Sequence, residues 1–169
     1  QPALSSEVKG LILSGSPYSV NQSDAPWIDL DYFRNKIPIL GICYGAQIIV
    51  AVNKGKVQSS DKREYGRANL IFNGKKSSLF QDVESHTQVW MSHGDTITNI
   101  PTEFSVLAIS ETILNAAFKI DNEETYGIQF HPEVTHSHQG KQILENFLFK
   151  ICKCKPDWSS EFFISKTIV

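Results

Sequence analysis

The stretch Pro38-Ile39-Leu40-Gly41-Ile42-Cys43-Tyr44-Gly45 changes periodicity within two residues, and this constrains the fold more than any other feature. Pro38 to Ile42 is a short continuous apolar run, which reads as a strand buried on both faces. Its proline sits at the entry, where a missing N–H costs least. Gly45 to Val52 then supplies helix-length apolar material, so Cys43 lies at a strand-to-helix turn. A buried strand feeding directly into an apolar helix implies a parallel sheet covered by helices, the α/β class. Gly10-Leu11-Ile12-Leu13-Ser14 is a second run of this kind, read as a buried parallel strand ending in the loop Gly15-Ser16-Pro17. With 169 residues, 41% hydrophobic and 20% charged, the chain is long enough for one domain with its own core.

The middle of the chain reads as antiparallel. Ala68 to Phe72 precedes Asn73-Gly74, a tight-turn signal. Val89-Trp90-Met91 leads into Ser92-His93-Gly94-Asp95, read as a polar loop. Phe104 to Ile109, Ala116 to Ile120 and Tyr126 to Phe130 are further strands, with Asp121 to Glu124 as the last turn. Ile143, Phe147 and Ile151 recur every four residues and predict a helix from about Ser137 to Cys152. Pro156 to Val169 reads as a linker or a docking segment carrying Trp158, Phe162 and Phe163. The net charge of −2 lacks the basic footprint of a nucleic-acid binder. No apolar stretch approaches the ~20 residues of a membrane span. Cys43, Cys152 and Cys154 are too few for a disulfide framework and fit a reducing, cytoplasmic compartment. The opening Gln1-Pro2-Ala3 has no initiator Met and no signal region, and reads as the interior of a longer protein.

Two short segments suggest chemistry. A cysteine between Gly41 and Gly45 at a strand-to-helix corner has the mechanics of a nucleophile elbow. The helix after it is expected to favour thiolate at the sulfur. The plainer alternative is a small buried residue ending a core strand. His131-Pro132-Glu133 follows a strand, and residues two apart on an extended segment project to one side. The imidazole can take a thiol proton while the carboxylate orients it. Here the alternative is a strand-end histidine beside a solvated glutamate. His136 and His138 have His-x-His spacing without a wider ligand cluster, so no metal is expected.

Gly41-Ile42-Cys43-Tyr44-Gly45-Ala46-Gln47 and Tyr126-Gly127-Ile128-Gln129-Phe130-His131-Pro132-Glu133 resemble the two signatures of the class I, triad-type glutamine amidotransferases. Leu13-Ser14-Gly15-Ser16-Pro17, Ser19-Val20 with Ala25-Pro26, Arg63-Glu64-Tyr65-Gly66, Trp90 to Asp95 and Val134-Thr135-His136 resemble the branch whose glutaminase domains serve GMP synthesis. The resemblance implies a mixed central sheet flanked by helices. It implies Cys43 as nucleophile, His131 as base and then acid, and Glu133 as its orienter. Backbone N–H groups of Ser16 and Tyr44 would hold the oxyanion. Gln47 and the segment containing Ser92, Gly94 and Asp95 would grip the glutamine amino and carboxylate groups. Arg63, Glu64, Asp95 and His136 would face a second domain.

That second domain, by resemblance, is an ATP-pyrophosphatase (synthetase) domain or subunit that binds XMP and uses ATP and Mg. No cofactor is expected in residues 1–155, the amidotransferase domain itself. Residues 156–169 would lead towards the synthetase part. Two departures stand out. The family carries Gly where this chain has Ser16, and it has a further strand and helix before Gly10. The first departure keeps open a different reading, a catalytically weak or inactive regulatory module of the same fold.

Overall fold

The protein is described by a computed structural model that covers residues 4–74 and 77–156, with the backbone alone for residues 60–64. A six-stranded mixed sheet forms its centre. Its strands are β1 (Leu11–Leu13), β2 (Ile39–Ile42), β4 (Ile71–Phe72), β6 (Phe104–Ile109), β7 (Ala117–Ile120) and β8 (Thr125–Ile128), in the spatial order β1-β2-β8-β7-β6-β4. β1, β2 and β8 run parallel, and the β8–β7, β7–β6 and β6–β4 pairs are antiparallel. A separate two-stranded ribbon pairs β3 (Lys56–Asn69) with β5 (Gln88–Asn99).

Alternation along the central strands divides the core between two faces. Leu40 and Ile42 of β2, Tyr126 and Ile128 of β8, and Phe130 beyond it face the C-terminal helix through Ile143 and Phe147. Ile39 of β2 and Phe118 and Ile120 of β7 face the other way, towards Ile49 and Ala46 of helix α1 (Tyr44–Val52). Nearly all of α1 is buried, which is why its apolar residues run unbroken instead of forming a stripe.

Several local expectations change. β1 is a parallel strand as read, but it lies at the sheet edge and Ile12 is 41% exposed. Ala68 to Phe72 is not one strand, because Leu70 turns away to bond the Thr87 carbonyl and divides β3 from β4. Gly74 has the positive φ of a turn residue, yet β4 pairs with β6 and not with the next strand in sequence. Ser92-His93-Gly94-Asp95 is extended within β5, where Ser92, His93 and Asp95 pair with β3 across a register shift. The predicted C-terminal helix begins at Gly140 as α2 (Gly140–Glu145) and continues as a π-helical segment over Asn146–Ile151. The buried Asn146 amide there donates to the carbonyls of Leu79 and Gln81. Residues 157–169 of the proposed linker lie outside the described part. Among the described residues no helix is long and apolar enough to cross a membrane.

Candidate active site

Cys43 caps α1 with φ 52° and ψ −105°, a conformation that L residues rarely adopt and that costs of order 1–3 kcal/mol. Two glycines permit the sharp corner. A Cβ on Gly41 would lie 2.6 Å from the carbonyl carbon of Gly45, and one on Gly45 would overlap the carbonyl of Leu13 in β1. The Cys43 N–H donates to the Ile128 carbonyl at 2.8 Å, which fastens the corner to β8. Its thiol is buried and donates to the Ser92 carbonyl of β5 at 3.7 Å.

Burial pushes the Cys43 thiol up to about 11, although the Tyr44 N–H at the helix start lowers it; the Glu133 charge raises it further. The helix start thus acts on the sulfur in the expected direction, through the Tyr44 N–H, and burial outweighs it. One N–H and a nine-residue helix do not offset the loss of water around the sulfur.

His131 follows β8, where an isolated bridge joins Phe130 to Met91 of β5. Its N–H donates to the Trp90 carbonyl at 2.9 Å. Ser137 fixes the same point from the other side, accepting from the Trp90 N–H and donating to the His131 carbonyl. The imidazole Nδ1 lies 2.6 Å from Oε1 of Glu133. Its Nε2 is buried and has no hydrogen-bond partner among the described residues. A Cβ on Gly15 would stand 3.0 Å from His131 Cε1 and 3.7 Å from Cys43 Cβ, so the missing side chain leaves room for both.

Cys43 and His131 open into one cavity of about 630 Å³. The loop after β1 contributes Gly15 to Ser19, α1 contributes Gln47, β3 contributes Ser59 and Tyr65, and β5 contributes Ser92 to Asp95. Gln47 is buried, unlike an ordinary surface helix residue, and its Nε2 donates to the Asp95 carbonyl at 2.9 Å. Ser16 lines the cavity without a positive φ, and its hydroxyl accepts from the Tyr18 N–H.

Of the four residues expected at an interdomain face, the two with described side chains separate. Asp95 lines the cavity, whereas His136 is exposed and stacks on Trp90 with ring centroids 4.6 Å apart. The side chains of Arg63 and Glu64 lie outside the described residues. Among those residues no group of His, Cys, Asp and Glu is arranged to hold a metal. Sequence reasoning gave no role to Ser19, whose hydroxyl donates to Asp95, or to the hub Ser137. Neither carries a spacing signal, because the bonds from Ser19 to Asp95 and from Trp90 to Ser137 each span more than 40 residues of chain.

A buried thiol on a strained strand-to-helix corner, sharing a cavity with a carboxylate-bound imidazole on a mixed sheet, has the layout of an amide-cleaving cysteine site. The chain belongs to the glutamine amidotransferase class-I family, whose sequence model matches residues 1–151. It is similar to proteins named GMP synthase [glutamine-hydrolyzing] from Cytophaga hutchinsonii and Bacteroides thetaiotaomicron. The first is 52% identical over 167 residues, which cover 99% of this chain and 33% of that protein. The second is 52% identical over 161 residues, covering 95% of this chain and 32% of the relative. This chain thus spans about a third of the length of these curated relatives. The solved structure of a candidate GMP synthase component from Thermoplasma acidophilum superposes with a TM-score of 0.72 at 32% identity. The match covers 95% of this chain and 78% of that one.

Proposed function

We propose that this chain hydrolyses the side-chain amide of glutamine to glutamate and ammonia. The ammonia would serve the ATP-dependent amination of XMP to GMP by a synthetase domain or subunit. The observation that carries the reading is the shared cavity of Cys43 and a His131 whose Nδ1 is held by Glu133 and whose Nε2 is buried and unbonded. Cys43 gives its proton to Nε2 and attacks the amide carbon. The Tyr44 N–H receives the oxyanion, joined by that of Ser16 once the loop turns it inward. His131 then protonates the departing nitrogen, leaving a thioester on Cys43. Water, deprotonated by the same imidazole, releases glutamate and restores the thiol. ATP, Mg and XMP belong to the synthetase part, and the whole enzyme is cytoplasmic in this reading.

In this reading the partner governs the step in which the buried Cys43 thiol gives up its proton. Of the coupling candidates with described side chains, His136 is tied to the site through Trp90, on which it packs and whose carbonyl holds the His131 backbone. The test is glutamate release by this chain alone and with its synthetase partner, ATP and XMP. Slow release alone and a rise with the loaded partner are expected, with a smaller rise for His136→Ala. No release in either condition, together with a Cys43 that resists alkylation, overturns the reading in favour of a regulatory module.

A further inference from the structure

Among the described side chains lining the active-site cavity, Asp95 is the one carboxylate, and no lysine or arginine accompanies it. Three walls converge on Asp95. Its carbonyl accepts from Gln47 of α1, its backbone pairs with Ser59 of β3, and its Oδ2 accepts from the Ser19 hydroxyl on the loop after β1. Ser19 is itself fixed. Its oxygen accepts from the Asn21 N–H at 3.1 Å, and its own N–H donates to Gln22 Oε1 at 3.1 Å. Asn21 in turn donates to the Val57 carbonyl, anchoring this turn to β3. With one lone pair turned to Asn21, the hydroxyl proton points at the carboxylate.

We propose that Ser19 is a positioning residue that sets substrate specificity by holding Asp95 Oδ2, so that the second carboxylate oxygen receives the α-ammonium of the amino-acid substrate. This rests on the reading of the cavity as a glutamine site. A carboxylate that is the one acidic group among the described lining side chains favours a cationic group, and a pinned carboxylate favours it in one place. Ser19 never touches the reacting amide. Its loss therefore acts on recognition of the ammonium and leaves the chemistry of the amide alone.

The test compares glutamine with 4-carbamoylbutanoate, which keeps the amide and the carboxylate but has hydrogen in place of the ammonium. kcat/KM for both is measured in the complete protein with its synthetase part loaded. The parent is expected to prefer glutamine. Ser19→Ala is expected to shrink that preference about tenfold, through a raised KM for glutamine, with kcat/KM for the analogue nearly unchanged. Ser19→Thr, which keeps the hydroxyl, is expected to retain the parental preference. A Ser19→Ala protein that loses both activities equally, or keeps the parental ratio, overturns this proposal alone. A parent that hydrolyses neither amide overturns the glutaminase reading and this proposal with it.

Discussion

Cys43 combines backbone strain with a thiol that burial holds in its protonated form. With its pKa at about 11, the thiolate fraction at neutral pH is on the order of 10⁻⁴. The sign is that of any acid raised by folding: the anion is scarce below pH 11 and appears as pH rises through it. Burial of the neutral thiol stabilises the fold below pH 9, and this contribution is lost as pH rises through about 11. Alkylation of Cys43 by iodoacetamide, followed by peptide mass spectrometry, is expected to speed up about tenfold per pH unit from neutrality. A plateau at or below the ordinary thiol range would contradict this environment. Ser16 is a second residue-scale lever. It precedes Pro17, which biases it towards extended backbone, and it does not take a positive φ. A glycine there reaches the left-handed region without the ~1–2 kcal/mol cost of a Cβ. Ser16→Gly is therefore expected to raise glutamate release by the isolated chain roughly three- to tenfold while leaving it dependent on Cys43. A variant no faster than the parent would show that this peptide does not limit the oxyanion site.

Three elements build the corner that lifts Cys43: β1, β2 and α1. Their close approach depends on Gly45, where any side chain would meet the Leu13 carbonyl. Gly45→Ala is expected to destabilise the fold by roughly 1–3 kcal/mol, read as a lower urea midpoint with an unchanged slope. An unchanged midpoint would mean that β1 moves aside freely. This corner was legible in the sequence because strand, turn and helix are contiguous there. So was the His131–Glu133 pair, although Pro132 and Glu133 form a turn and not the extended segment the spacing implied. The β5 segment Ser92 to Asp95 was less legible. Its polar residues and glycine suggest a loop, and only pairing with β3, more than twenty residues away in the chain, makes it a strand. β1 misled differently. A continuous apolar run implies two covered faces, but only neighbouring elements decide whether both are covered, and Ile12 at the sheet edge is not. The π-helical turn at Asn146 likewise depends on distant carbonyls that the local periodicity does not report.

At the scale of the whole molecule, the chain spans about a third of the length of its curated relatives, and in the proposed reading its chemistry has meaning through what consumes the ammonia. In the proposed reading, the complete enzyme performs two separable jobs: release of ammonia at Cys43 and its use elsewhere. In that reading the second job needs nothing from the Cys43 cavity, whereas the first has no substitute for the sulfur. The most direct test is the nitrogen-donor dependence of GMP formation by the complete protein carrying Cys43→Ala, with His131→Ala and Glu133→Gln beside it. Glutamine-dependent synthesis is expected to fall by more than ~10³-fold for the first two variants and by less for Glu133→Gln, which retains a hydrogen-bonding group beside the imidazole. Synthesis from added ammonium salt is expected to stay close to the parental rate in all three. Equal loss with both nitrogen donors in Cys43→Ala would make Cys43 a structural residue and contradict the account at its centre.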